Sequence, residues 1–235
     1  MIEVWSYLSR DPLLWLCATL VAYGFGLALY YALNRSPLVN PGLTAMIVLA
    51  LLLSATSTPF ETYFEGAQFV HFLLGPATVC LALPLYDNLA RVKAVALPLL
   101  AALIAGSVTA MLSALLIASA FLPDAAILAS LAPKSATAAV AIGISEQNGG
   151  SPLLTTLMVM MTGLVGAAFT TPLLNLLKIR DWRARGFATG VAAHGFGTAR
   201  AFQVNPTAGA FAGLGMGLNA MLTAVLVPIL LHLVL

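Results

Sequence analysis

Pro133-Lys134-Ser135-Ala136-Thr137 interrupts an apolar stretch rich in Gly, Ala, Ser and Thr, and the single charge at its centre decides how the flanking chain must be built. An earlier stretch, Pro76-Ala77-Thr78, repeats the pattern without the charge. Around them, 61% of the residues are hydrophobic and only 8% charged, where a soluble domain carries roughly 25% charged. A chain of 235 residues cannot hide that much apolar surface from water, so its solvent is a bilayer. The expected class is all-α: a polytopic, multi-pass helical membrane protein, 1–235 as a single transmembrane domain.

Five runs read as spanning helices: 12–33, 38–56, 94–122, 152–177 and 209–234, since crossing the hydrocarbon takes about twenty apolar residues. They lack the inside/outside alternation of barrel strands. Three further segments are apolar but interrupted. Residues 57–86 carry Glu61, Glu65 and His71 and break at Gly75-Pro76; residues 124–149 break at Pro133-Lys134; residues 186–208 contain His194-Gly195-Phe196-Gly197-Thr198-Ala199-Arg200 and end at Asn205-Pro206. Each side of a break is too short to span, which predicts broken helices and re-entrant hairpins covered by protein or water. Ala77-Thr78, Ala82, Leu85 and Asp87-Asn88 align on Ala136-Thr137, Ala141, Ile144 and Glu146-Gln147, the trace of an internal duplication. Basic loops at Arg91/Lys93 and at Lys178, Arg180, Arg183 and Arg185 are assigned to the cytoplasm. Hairpins 57–86 and 124–149 then enter from opposite sides as inverted repeats. Arg35 violates the scheme, and the last two segments are left without a direction. Met1-Ile2-Glu3 has no basic n-region, so a cleaved signal peptide is not expected.

Lys134 carries the chemistry. A charge at the bilayer centre costs about 2.5–3.5 kcal/mol on insertion scales, and Pro133 puts this one beside a helix start, whose N–H groups and dipole also favour anions. With Ser135 and Thr137 it forms a cradle for a carboxylate. Pro76 and Thr78 are expected to supply the matching start on the other hairpin. The bland alternatives are a lysine that snorkels to the interface and a plain proline kink. Glu61 and Glu65, one turn apart, suit a proton or cation site or a solvated flank; Glu146 suits coupling or a loop cap. His194, Thr198 and Arg200 suit a gate or a bidentate anion contact, or structural roles. Asn219, an amide in an uncharged helix, needs a partner. Gly209, Gly213 and Gly217 read as a helix-packing edge. Cys17 and Cys80 are expected as buried thiols. The chain holds no P-loop, GxGxxG helix start, HExxH, CxxC or GxSxG, so catalysis and a metal centre are not expected, and a net charge of +2 gives no sign of nucleic acid.

The strings Asn40-Pro41-Gly42, Glu61-Thr62-Tyr63-Phe64-Glu65-Gly66, Phe72-Leu73-Leu74-Gly75-Pro76-Ala77-Thr78, Pro133-Lys134-Ser135, Gly143-Ile144-Ser145-Glu146, Ala193 to Arg200 and Gly213 to Asn219 resemble the LrgB/CidB family from about Asn40 to the end. The resemblance implies one of two activities. Family members were first described as antiholin-like modulators of murein hydrolases and lysis, acting with a small LrgA/CidA-like membrane protein. Plastid relatives are glycolate/glycerate translocators, and bacterial members are linked to pyruvate uptake. The expectation that follows is a carrier of small monocarboxylates, without cofactor, coupled to H+ or Na+ or to neither, embedded in the lipid of a bacterial inner membrane and homo-oligomeric.

Overall fold

A computed structural model describes residues 11–33, 39, 41–73, 86 and 89–234. The chain divides into two compact units, Met1–Cys80 and Leu81–Leu235, and the regular structure of the described residues is all helix, as the sequence predicts. Gly75-Pro76, Thr78 and the first copy of the duplication lie outside the described residues.

The first unit holds α1 (Pro12–Ala32), α2 (Pro41–Thr56) and α3 (Phe60–Phe72). Asp11 caps α1, its carboxylate accepting from Leu13 N at 2.9 Å, and Pro12 occupies the first turn, where its missing N–H costs nothing. α2 begins at Pro41, not at residue 38. Its sixteen residues rise about 24 Å, short of the 30 Å or so of hydrocarbon. Small residues set the packing. A methyl on Gly26 would meet Pro41 O at 2.5 Å, and one on Gly66 would meet Trp15 Cβ at 2.8 Å. Tyr63 locks α3 to α1, accepting from Thr19 Oγ1 at 3.2 Å and meeting Trp15 edge-on at 6.0 Å. Cys17 is exposed rather than buried, because in a bilayer an apolar thiol gains nothing by facing protein instead of lipid.

The second unit runs α4 (Leu89–Ala94), α5 (Ala96–Phe121), α6 (Ala125–Leu131), α7 (Ala138–Gln147), α8 (Pro152–Leu176), α9 (Trp182–Val204) and α10 (Pro206–Val234). Among the described residues four helices, α1, α5, α8 and α10, are long and apolar enough to cross a membrane. Their outward faces confirm the solvent: Leu97, Phe121, Leu153, Leu176 and Met221 are 72–82% exposed, which only lipid tolerates at that density.

α6 and α7 form the hairpin expected at 124–149. Asp124 caps α6 by accepting from Ile127 N at 3.0 Å. Hydroxyls fasten the hairpin to α8. Ser130 Oγ accepts from Ser151 N at 2.7 Å, and the Ser145 and Thr155 hydroxyls lie 2.6 Å apart. α7, ten residues, rises about 15 Å, half the hydrocarbon.

α9 is two arms, not one rod. Ala193 (φ −128°, ψ 18°) and His194 (φ 39°, ψ −132°) leave the helical region, and a methyl on Gly197 would lie 2.8 Å from Thr189 O. Residues eight apart in a straight helix are about 12 Å apart, so the chain reverses at His194. Arms 182–192 and 195–204 make a second re-entrant hairpin. It starts at Trp182, four residues earlier than its predicted start at 186, because the Asp181 carboxylate accepts from Arg183 N at 2.8 Å and caps it there. Arg183 and Arg185 therefore belong to the arm, not the loop. The first arm packs parallel to α10, Gly186 against Ala208 and Gly190 against Ala212. The predicted edge of Gly209, Gly213 and Gly217 is not this seam: Gly209 meets Phe202, and Gly213 and Gly217 face open space. The register of a helix face, not spacing alone, selects which small residues meet a neighbour.

Hydrophobic contacts orient the two hairpins. Leu103 in the first half of α5 clusters with Phe187, Val191 and Phe211, whereas Leu115, Leu128, Ile144 and Val227 cluster at the other end. The α9 hairpin thus enters from the end that carries both basic segments, of which Arg91 and Lys93 lie on the short helix α4 rather than in a loop, and the α6–α7 hairpin from the opposite end. Within the described residues, the hairpin opposing 124–149 is 182–204.

Arg183 forms an exposed ion pair with Asp181 at 2.7 Å, and its bonds to Asp181 hold that carboxyl at about 2. A depressed carboxyl adds stability above its unfolded pKa near 3.9 and loses it as the pH falls toward the folded value. Asp181→Ala is expected to lower stability by about 1 kcal/mol, the typical worth of a helix cap. The difference from wild type should be constant between pH 5 and 8 and shrink below about pH 4; thermal unfolding across that range checks it.

Candidate functional site at two facing hairpin tips

Both tips sit at mid-depth. The middle of α8 packs on the second tip: Gly166 touches Ala193, and a methyl on Gly163 would fall 2.7 Å from His194 Cε1. On α10 the corresponding level is Asn219, close to the centre of Pro206–Val234.

The first tip is a tight turn. Lys134 N donates to Leu131 O at 3.1 Å and Ala136 N to Pro133 O at 2.9 Å. Asn219, 1% exposed, holds it. Its Nδ2 donates to Ser135 O at 3.1 Å, and its Oδ1 accepts from Ser107 Oγ at 2.6 Å. Asn219 is therefore a positioning residue behind the tip, its amide satisfied by protein. Ser107 escaped the sequence reading, although a hydroxyl amid an uncharged helix carried the same signal that singled out Asn219.

Lys134 is half-buried, its Nζ donating to Ser135 Oγ at 3.4 Å. Among the described residues no carboxylate pairs with it. Thr137 opens α7 without using its side chain as a cap, so a hydroxyl and the first N–H groups of α7 stand at the same tip. These groups offer an ammonium, two hydroxyls and a positive helix end to one small anion.

His194 completes the arrangement from the other side. Val159 joins the two tips, packing on Ala136 of the first while its carbonyl meets His194 of the second. The ring, 3% exposed, places Nε2 3.0 Å from Val159 O; a carbonyl only accepts, so Nε2 carries the proton. Thr198 Oγ1 donates to His194 O at 2.8 Å and so supports the turn from behind. The φ and ψ of His194 resemble the first central residue of a type II′ turn, where glycine is favoured, and a side chain there costs about 1–3 kcal/mol. His194→Gly is expected to unfold at a higher temperature than His194→Ala by roughly 1 kcal/mol of stability, with both losing the Val159 contact. Equal melting of the two variants would refute a strained turn.

The remaining candidates lie elsewhere. Arg200 lies on the second arm, away from the tips, its Nη1 3.4 Å from Gln203 Oε1. Glu146 is exposed at the far end of α7. Glu61 and Glu65 are exposed on α3, while Gly66 and Ala67 of the same helix are buried. Among the described residues no group of three or more His, Cys, Asp or Glu side chains is arranged to hold a metal.

The sequence profile of the LrgB-like family matches residues 19–233. A holin-like protein CidB of Staphylococcus epidermidis is 32% identical over 211 residues, covering 87% of this chain and 92% of the relative. The holin-like protein CidB of Staphylococcus aureus is 32% identical over 221 residues, 94% of this chain and 96% of its own. The antiholin-like protein LrgB of Bacillus cereus is 29% identical over 220 residues, with the same coverage. No solved structure matches the chain.

Proposed function

The chain belongs to the LrgB-like family, and from that premise and the mid-depth cation we propose that it is a carrier of small monocarboxylates such as glycolate, glycerate or pyruvate. The observation that carries the reading is Lys134, a half-buried ammonium without a carboxylate partner among the described residues, facing a hydrogen-bonding tip at the level where three spanning helices are at their middle. A cation there is stabilised by an anion that comes and goes. Lys134, Ser135 and Thr137 bind the carboxylate, and Asn219 and Ser107 fix the tip that presents them. Two hairpins entering from opposite ends give each side of the membrane one short barrier over a common site, the arrangement alternating access requires. His194, at the facing tip, is the candidate for proton coupling.

A second reading is favoured by the names of the relatives, which are holin-like and antiholin-like; on names alone it has the better support. In it the chain regulates murein hydrolase activity and lysis together with a small LrgA/CidA-like membrane protein, and the polar tips set a conformational state rather than bind a substrate.

Counterflow in vesicles separates the two. Purified protein in liposomes loaded with unlabelled acid should accumulate labelled glycolate, glycerate or pyruvate, and a proton gradient should change the rate if His194 couples. Folded protein that exchanges none of the three, while its loss still alters lysis in cells, overturns the carrier in favour of the regulator.

A further inference from the structure

A second basic cluster lies between the tips and the basic-loop end of the second unit. Arg185 and Arg200 line one cleft together with Trp182, Thr170, Thr171 and Thr189, and among the described residues no carboxylate lines it. The two arginines are fifteen residues apart in sequence; only the reversal at His194 brings the arms that carry them side by side. Thr170 lies seven residues beyond Gly163, which packs on His194, so the cleft is about 11 Å from the tips along α8. Its volume is about 20 Å³, room for one or two water-sized groups and hence for a carboxylate head.

The cleft is built rather than incidental. Arg185 is 8% exposed, and it spends one N–H on Ile179 O at 2.9 Å while its guanidinium lies 4.9 Å from the Trp182 ring centroid. Thr189 Oγ1 donates to Arg185 O at 2.7 Å, holding the arm at that turn. Two guanidiniums lining one small, partly desolvated cleft present an entering carboxylate with N–H donors in the fork geometry that its two oxygens match.

We propose that Arg185 and Arg200 form a second anion subsite, distinct from the Lys134 tip, that takes the carboxylate of a small organic acid on the path between the basic-loop face and mid-depth. The proposal rests on the carrier reading for its substrate class, but its test does not require flux. Trp182 is the reporter. In full-length protein carrying Trp5→Phe and Trp15→Phe it is the only tryptophan, and its fluorescence should change saturably with glycolate. Arg200→Gln should weaken that response about 10- to 100-fold, the worth of lost charge-assisted hydrogen bonds. Arg200→Lys, which keeps the charge and loses the fork, should fall between them and covers the case in which the glutamine variant does not fold. Lys134→Ala should leave the response intact. A saturable response without any counterflow supports the subsite and sinks the carrier. No saturable response in protein that exchanges glycolate overturns the subsite alone. So does a response that Lys134→Ala removes and Arg200→Gln spares, and so does an equal response to chloride, which contradicts a carboxylate site.

Discussion

Lys134→Ala is expected to abolish exchange of glycolate, glycerate and pyruvate, with a loss of at least about 100-fold, while the protein folds as well as wild type or better. The first half follows from chemistry. The ammonium is the one full positive charge at the first tip, and a charge-assisted hydrogen bond contributes about 1.5–3 kcal/mol, before the long-range attraction that Ser135, Thr137 and the helix start cannot replace. The second half follows from the absence of a pairing carboxylate among the described residues. A lysine in a buried structural ion pair destabilises the fold by about 3–5 kcal/mol when removed, because its partner is stranded. Here nothing is stranded, and deleting the charge removes an insertion cost of about 2.5–3.5 kcal/mol. Thermal unfolding and counterflow measured on the same preparation check both halves. Normal exchange by the variant removes the site assignment, and a large drop in stability with flux preserved makes Lys134 a structural residue.

Gly190→Val should have the largest effect on the fold. The position where its Cβ would be built already holds the backbone of Ala212, the carbonyl oxygen nearest, with Ala212 C at 2.7 Å and Cα at 2.8 Å. Backbone cannot swing aside as a flexible side chain can, so the first arm of α9 must part from α10. Overpacking of this kind costs about 1–3 kcal/mol and occasionally more, and both arms and the His194 turn depend on the seam. Gly213→Ala and Gly217→Ala are the controls. Both positions face open space, and alanine exceeds glycine in helix propensity by about 1 kcal/mol, so these variants should be neutral or stabilising. Denaturant titration of the four proteins tests the pattern. A tolerated Gly190→Val would mean that the arm and α10 are not in the contact described.

The relation between sequence and structure differs from element to element. The spanning helices at 94–122 and 152–177 were legible within a few residues, since length and uniform hydropathy are what a bilayer imposes on any helix that crosses it. The hairpin at 124–149 was legible for the complementary reason: Pro133 and Lys134 violate an otherwise apolar run, and such a violation survives only if the backbone turns under cover. The same reasoning marked 186–208 as broken. It did not show that the break is a full reversal, because one residue with positive φ, His194, determines the direction of the following arm and leaves no trace in hydropathy.

The order of residues along the chain thus determined the solvent, the helical class and the expected depth of Lys134, because each is a one-dimensional property: how many apolar residues run in succession, and where the run fails. Tertiary structure alone decided which hairpin opposes which, that Asn219 serves the Ser135 backbone, and that Arg185 and Arg200 line one cleft across a fold-back. Those pairings depend on which face of each helix meets its neighbour, and in a chain this uniformly apolar both faces carry nearly the same residues, so only close packing of small side chains against backbone distinguishes them.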